Sequence, residues 1–161
     1  MKIIFLDFDG VLNSEKFLKT NQGKGFGAAQ IDPQAVVLLD QLVQATGAKI
    51  VISSSWRHIW STWEIKQMLF KAGSKVASKA IIDRTPMGES NRGQEIQEWL
   101  DLDPEREVVN PEHEGVESFV ILDDTDDMLP DQMDRFVHTS GQIGLTAENV
   151  SDAISILRMT Q

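Results

Sequence analysis

Residues 2–13 read KIIFLDFDGVLN, a short apolar run that stops at two aspartates and a glycine. An apolar run without alternation is typical of a strand buried on both faces, as in the middle of a parallel sheet. The carboxyl end of such a strand faces the crevice where open α/β sheets bind ligands. Because side chains two apart in extended backbone point the same way, Asp7 and Asp9 are expected to project into that crevice together. The alternative is that Asp9 only begins a turn and Asp7 only ends a strand.

A second apolar run, SFVILDDTDD at residues 118–127, repeats this pattern of a strand that stops at carboxylates. If the two strands lie side by side and parallel, Asp7, Asp9, Asp123 and Asp124 converge. Two unit charges 4 Å apart repel by roughly 4 kcal/mol at an effective dielectric constant near 20, so this cluster needs a cation. Oxygen ligands select a hard divalent ion. Mg²⁺ fits best, because it binds through one or two carboxylates, waters and a substrate phosphate.

Several stretches resemble motifs of the haloacid dehalogenase-like (HAD) phosphohydrolases. Asp7-Phe8-Asp9-Gly10-Val11 resembles motif I, residues 123–127 resemble the acidic motif IV, and Ser53 lies where motif II has a Ser or Thr. The stretches 53–57 (SSSWR) and 92–96 (RGQEI) are more narrowly similar to HAD domains grouped with RNA-repair proteins. In order and spacing, these motifs cover nearly the whole chain.

The resemblance implies a Mg²⁺-dependent phosphatase that forms an aspartyl-phosphate. Asp7 would attack phosphorus, while Asp9 would protonate the leaving oxygen and later activate water. Ser53 would hold a phosphate oxygen with its hydroxyl, although a serine that only satisfies the strand end is the alternative. These roles match what phosphoryl transfer needs, namely a nucleophile, charge compensation and a proton for the leaving group.

The family also has a basic residue near a helix start between motifs II and IV. Arg92 is the prediction, because it lies at the start of a predicted helix, 93–100, whose N-terminus favours anions. Lys75 and Lys79 are the alternatives.

Within the acidic motif, Asp123 and Asp124 are closest to the strand end and are the expected metal-binding side chains. Asp127 is expected to assist through its position or through water, and Asp126 to be surface charge.

Aromatic residues crowd the segment after Ser53. Trp60 and Trp63 fall at helical spacing and are interpreted as core aromatics that pack a helix. Trp56 and Arg57 adjoin the proposed phosphate site and are candidates for stacking on a substrate base or ring. The histidines lack metal-ligand spacing and are interpreted as ordinary residues; they are His58, His113 and His138.

Strands alternate with helices along the chain, which predicts an α/β fold, a doubly wound three-layer sandwich with a mainly parallel five-stranded sheet. The resemblance implies the strand order 3-2-1-4-5. The predicted strands are 2–6, 49–52, 80–82, 118–122 and 135–138. The predicted helices are 33–46, 61–72, 93–100 and one that begins after Thr146.

Residues 13–30 break the apolar periodicity and carry three glycines, which predicts a mobile loop or short hairpin. It is interpreted as a small flap over the site, and the alternative is a disordered surface excursion with no role. The gaps between motifs leave no room for a large cap, so residues 1–161 are expected to form one domain with an open site. An open site suits a large substrate such as a phosphorylated nucleic-acid end, and a small phosphate ester remains open. Residues 104–115 are charged, contain proline and are expected to be exposed.

Composition narrows the class of protein. The 161 residues are 41% hydrophobic, which suffices for one core, and the chain has no cysteine for a disulfide or thiolate site. No apolar stretch has the length of a membrane span and no signal-peptide layout is present, so we expect a soluble, cytoplasmic protein. A net charge of −10 repels polyanions, so binding to bulk nucleic acid is not expected, while binding to a terminal phosphate stays possible.

Two other classes share parts of this pattern. A receiver-type phosphorylation switch also carries acidic residues at strand ends, but there the acidic pair closes the first strand and the phosphorylated aspartate closes the third. The other class is a binding domain with an inert HAD site. The joint presence of Asp7, Asp9, Ser53 and Asp123 argues against it.

Overall fold

A computed structural model of the chain describes residues 1–20, 23–88, 91–102 and 115–159. Its five strands form one sheet in the order β3-β2-β1-β4-β5, and each neighbouring pair is parallel. The strands are β1 (Lys2–Leu6), β2 (Lys49–Ile52), β3 (Ile81–Arg84), β4 (Ser118–Asp123) and β5 (Phe136–His138). The doubly wound α/β fold and its strand order are therefore confirmed.

Six α-helices connect or flank these strands within the described ranges. They are α1 (Glu15–Leu18), α2 (Pro33–Thr46), α3 (Thr62–Lys71), α4 (Ala77–Ala80), α5 (Arg92–Asp101) and α6 (Ala147–Arg158). Local sequence explains the limits of α2. The Asp32 carboxylate accepts the N–H of Gln34, Pro33 takes the first helical position, and Gly47 ends the helix in the left-handed region at φ 68.

Alternate residues of β1 belong to two different cores. Ile4 and Leu6 pack in the larger core, which includes residues of α2, α3 and α6. Ile3 and Phe5 pack in the smaller core under α5, where the Phe5 and Trp99 rings meet edge to face at 5.4 Å between centroids. Strand β1 is thus buried on both faces, as its unbroken apolar run predicts.

The third strand begins later than predicted, because Ala80 closes α4 and does not open β3. The Asp40 carboxylate accepts the backbone N–H groups of Lys75 and Ala77 and the hydroxyl of Ser74. These hydrogen bonds from a residue distant in sequence stabilise a helical turn directly before the strand, and no local sequence pattern predicts that turn.

The segment 13–30 differs from the predicted loop or hairpin. It holds the short helix α1, whose N–H at Phe17 is capped by the Ser14 hydroxyl, and a 3₁₀ turn at Gly27–Gln30. Residues 21–22 of this segment lie outside the described ranges. Residues 103–114 also lie outside them, so the structure does not describe His113 or most of the stretch 104–115 that was predicted to be exposed.

Trp63 was expected in the core, but it is 68% exposed. Helix α3 instead buries Ile65, Met68 and Leu69, so Trp63 lies on the outer face of the helix. No helix in the ranges that the structure describes is long and apolar enough to cross a bilayer.

Candidate active site

The carboxyl edge of the sheet brings three predicted residues into one row. Leu6 pairs with Ile52 of β2 and with Leu122 of β4, so Asp7, Ser53 and Asp123 follow side by side. The backbone ladder continues through this row, from the N–H of Asp7 to the Leu122 carbonyl and from the N–H of Ser53 to the Leu6 carbonyl, both at 3.0 Å.

Three carboxylates converge at this row. Asp7, Asp123 and Asp124 each offer an oxygen, and these oxygens all lie within 4.8 Å of one another. Asp7 is 4% exposed and Asp123 is fully buried. One oxygen of each, Asp7 Oδ1 and Asp123 Oδ2, makes no hydrogen bond to any described residue. Buried carboxylate oxygens that accept no hydrogen bond fit a hard divalent cation such as Mg²⁺.

Two glycines make room for the third carboxylate. A Cβ on Gly10 would lie 2.2 Å from the Asp124 carboxyl carbon, and one on Gly141 would lie 2.9 Å from its Oδ2. Gly10 also adopts a φ of +72, which L side chains rarely adopt. The glycine of the first motif therefore serves both the turn and the position of Asp124.

Arg92 is the basic residue at this site. It begins α5, whose N-cap Asn91 accepts the N–H of Gln94 at 2.9 Å. Its Nε lies 3.0 Å from Asp123 Oδ2, and a terminal guanidinium nitrogen lies 3.7 Å from Asp7 Oδ1. Arg92 therefore bridges the two buried carboxylates.

The alternative lysines lie elsewhere. Lys75 and Lys79 line a surface cavity together with Lys49, the first residue of β2. That cavity is at the amino edge of the sheet, opposite the carboxylate cluster. Neither lysine belongs to the site around Asp7.

Burial and like charge raise the pKa of Asp7 to about 7 from its ordinary value of 3.8. Burial is the larger cause and the Asp123 carboxylate the second, while Arg92 and a hydrogen bond with Ser54 act in the opposite direction. The pKa of Asp124 is raised by the same two causes, burial and Asp123. A bound cation would relieve the repulsion between these closely spaced, buried carboxylates.

Asp9 is not among the three converging carboxylates, although the sequence predicted it among the metal-binding side chains. It is exposed, and its carboxylate accepts hydrogen bonds from Trp56 Nε1 at 3.1 and 3.2 Å and from Asn13 Nδ2 at 2.8 Å. The strand ends at Leu6, and the N–H of Leu12 bonds to the Phe8 carbonyl, so the chain has already turned at Asp9.

The prediction that Trp56 and Arg57 stack on a substrate ring is wrong, because both are buried at 7% and 3% exposure. The Trp56 ring instead stacks on Phe8, with centroids 4.9 Å apart and planes at 30°. The Arg57 guanidinium donates to the Ser53 carbonyl at 2.8 Å and to Glu95 Oε2 at 2.5 Å. Arg57 therefore ties the segment after β2 to the first turn of α5.

The hydroxyl of Ser53 is buried beside Asp7 and has no hydrogen-bond partner among the described residues. Its neighbour Ser54, which sequence reasoning missed, bonds to Asp7 and accepts the N–H of Trp56 at 3.3 Å. The run Ser53-Ser54-Ser55 indicated that a serine hydroxyl lies near Asp7, but it did not show which of the three serines bonds to the Asp7 carboxyl.

The rest of the acidic motif supports its first aspartate. Thr125, also missed, donates both its N–H and its hydroxyl to Asp123 Oδ1 at 3.0 and 2.7 Å. Asp127 accepts the backbone N–H of Arg92 at 3.2 Å, so it caps α5, and Asp126 is exposed.

Comparison with known proteins agrees with this geometry. The family described as "HAD domain in Swiss Army Knife RNA repair proteins" matches residues 3–150, a range that contains the sheet except for Lys2 and every site residue above. Searches of curated proteins and of solved structures each gave no match. Since the family match spans most of the sequence, the chain belongs to the HAD superfamily, in the family of HAD domains of Swiss Army Knife RNA repair proteins.

Proposed function

We propose that this domain is a Mg²⁺-dependent phosphomonoesterase that forms an aspartyl-phosphate on Asp7. One observation carries the proposal, the convergence of Asp7, Asp123, Asp124 and Arg92 at the carboxyl ends of β1 and β4. Membership of a HAD family supports a phosphohydrolase-like activity for such a site.

Each step of the reaction has a residue suited to it. A carboxylate oxygen of Asp7 attacks phosphorus, and the bond from phosphorus to the leaving oxygen breaks. Asp9 gives its proton to that leaving oxygen. In the second half, Asp9 takes a proton from the water that attacks the phosphorus of the aspartyl-phosphate, which restores Asp7.

Donors near Asp7 are suited to the charge on the transferring group. The Ser53 hydroxyl and one terminal nitrogen of Arg92 are buried and unpartnered within the described ranges, so they can donate to phosphate oxygens. Asp7, Asp123 and Asp124 are the residues that would hold Mg²⁺, which when bound offsets negative charge on the carboxylates and the phosphate.

We further propose a terminal phosphate on a nucleic-acid strand as the substrate class, with residues 1–161 acting as one capless domain. The description of the family, which names RNA repair proteins, supports this choice. Within the described residues between β1 and α2, the chain forms only α1 and a 3₁₀ turn. Nothing as large as a cap domain stands there, which favours a bulky substrate.

A receiver-type switch fits less well. Receivers are built on the sheet order 2-1-3-4-5, whereas this sheet has the order 3-2-1-4-5 with β1 at its centre. A binding domain with an inert site would release no phosphate, so the phosphate-release assay below separates it from an active phosphatase.

Release of phosphate from an aryl phosphate and from 3′- or 5′-phosphorylated oligonucleotides tests the proposal. We expect release that depends on Mg²⁺, stops with a chelator and is abolished by Asp7→Asn. Asp126→Asn is the matched control, because Asp126 is an exposed aspartate of the same acidic motif, and it should leave the rate unchanged. Absence of Mg²⁺-dependent release from all of these substrates, or full activity of Asp7→Asn, would contradict the proposal.

A further inference from the structure

Two donors from different parts of the chain hold the carboxylate of Asp9. Asn13 Nδ2 donates to Oδ1 at 2.8 Å, and Trp56 Nε1 lies 3.2 Å from Oδ1 and 3.1 Å from Oδ2. The backbone N–H of Gly10 donates to Asn13 Oδ1 at 3.0 Å, which fixes the orientation of the amide. Asn13 therefore presents only its NH₂ group to Asp9.

The position of the Trp56 indole is itself fixed. The residue is 7% exposed and its ring stacks on Phe8, the residue between Asp7 and Asp9 in the chain. Its backbone N–H donates to the Ser54 hydroxyl, next to the Asp7 carboxyl. These contacts therefore hold the indole N–H in a fixed position relative to the turn that carries Asp7 and Asp9.

We infer that Trp56 is a positioning residue, which acts with Asn13 to orient Asp9 for proton transfer; this inference rests on the proposed function. An indole N–H and an amide NH₂ donate and never accept. Asn13 donates to Oδ1 alone and the Trp56 N–H is shared between Oδ1 and Oδ2, so the two donors together fix the plane of the carboxyl group that carries the transferable proton. That proton moves to the leaving oxygen as the phosphorus–oxygen bond breaks and its electron pair stays on the leaving oxygen.

Trp56→Phe tests the inference, because phenylalanine keeps an aromatic ring against Phe8 and removes the N–H. The variant should lose about tenfold in kcat/KM with an alkyl phosphate, part of the 10²–10⁴-fold that acid–base catalysis contributes. With a nitrophenyl phosphate, whose leaving group needs no proton, the loss should stay below about twofold. Trp60→Phe is the matched control, since Trp60 packs on Phe26 and makes no contact with Asp9 among those described.

A second variant separates positioning from a purely structural role. In the Asp9→Asn background, Trp56→Phe should cost nothing further with the alkyl phosphate, since the proton it positions is gone. Equal losses with both leaving groups, or an unchanged loss in the Asp9→Asn background, would overturn the inference. If Asp9→Asn itself shows no dependence on the leaving group, the division of roles in the proposed function fails, and the inference fails with it.

An observation without turnover keeps the inference testable if Trp56→Phe folds poorly. The chain has four tryptophans, so an amide NMR spectrum should contain four indole N–H signals. Asp9→Ala should shift one of them strongly and speed its exchange with solvent. The signal that moves should be the one that remains in each of Trp60→Phe, Trp63→Phe and Trp99→Phe, and not the one from Trp99, whose N–H bonds to Asp83 at 2.7 Å. Movement of no indole signal would overturn the inference.

Discussion

Replacement of Asp7 by asparagine should stabilise the metal-free protein, and by more at pH 8 than at pH 5. Burial and the neighbouring Asp123 raise the pKa of Asp7 to about 7, whereas its ordinary value is 3.8. Between these values the folded protein holds a proton that the unfolded chain releases. The contribution of Asp7 to stability is therefore fully present below pH 3.8 and is lost as pH rises through about 7.

The magnitude follows from the two pKa values. The whole loss corresponds to about 4 kcal/mol, of which about 2.5 kcal/mol falls between pH 5 and pH 8. Asparagine has nearly the same shape and never ionises, so Asp7→Asn escapes this loss. Titrating groups that do not interact with Asp7 are common to both proteins and cancel in the comparison.

Urea unfolding in the presence of a chelator measures the effect. The free-energy difference between Asp7→Asn and the natural sequence should grow by about 2.5 kcal/mol from pH 5 to pH 8. The matched change Asp126→Asn, at an exposed position, should show no such growth. Millimolar Mg²⁺ at pH 8 should stabilise the natural sequence and narrow the gap, because a cation that binds only the folded state adds to its stability. A difference that is equal at both pH values would refute the reasoning.

Three further changes have defined outcomes. Gly10→Ala should destabilise the fold by at least about 2 kcal/mol, because the new Cβ would clash with Asp124, and it should reduce the rise in melting temperature with Mg²⁺. Gly47→Ala is the control for the backbone conformation alone, because Gly47 has φ +68 and open space around it. Asp40→Asn should cost about 1–3 kcal/mol at pH 7 and less at pH 3 in urea unfolding. Burial acts to raise the pKa of Asp40, but backbone hydrogen bonds at the start of α4 outweigh it and lower that pKa, so its contribution is lost as pH falls below 3.8. Arg92→Ala should slow phosphate release by about 10²–10³-fold, with Arg92→Lys between the two.

The sequence was informative where a local pattern fixes the three-dimensional result. An apolar run predicts a buried strand, and parallel strands bring their carboxyl ends to one edge, so Asp7 and Asp123 were expected to lie close together once the family resemblance placed β1 beside β4. Arg92 could be chosen because a polar N-cap and a following helix mark its position. The local pattern identified each residue, while the strand order and the expectation of a basic residue came from the family resemblance.

Sequence reasoning failed where a distant side chain decides the outcome. Asp40 caps a turn more than 30 residues later along the chain and so displaces the start of β3. Trp56 stands beside a predicted phosphate site, and only the packing of Phe8 shows that its ring points into the core. Trp63 has helical spacing with Trp60, yet spacing alone does not tell which face of a helix meets the sheet.

The two aspartates of the first motif show how a single turn divides their chemistry. Alternation along a strand places Asp7 and Asp9 on one side, but this holds only while the backbone stays extended, and β1 ends at Leu6. Asp7 continues the register into the buried row beside Arg92, where the proposed nucleophile is shielded from water. Asp9 falls in the turn closed by the bond from the Leu12 N–H to the Phe8 carbonyl, exposed and held by side-chain donors. Two carboxylates placed in such different surroundings can serve as nucleophile and proton carrier, a division that two equivalent carboxylates could not support.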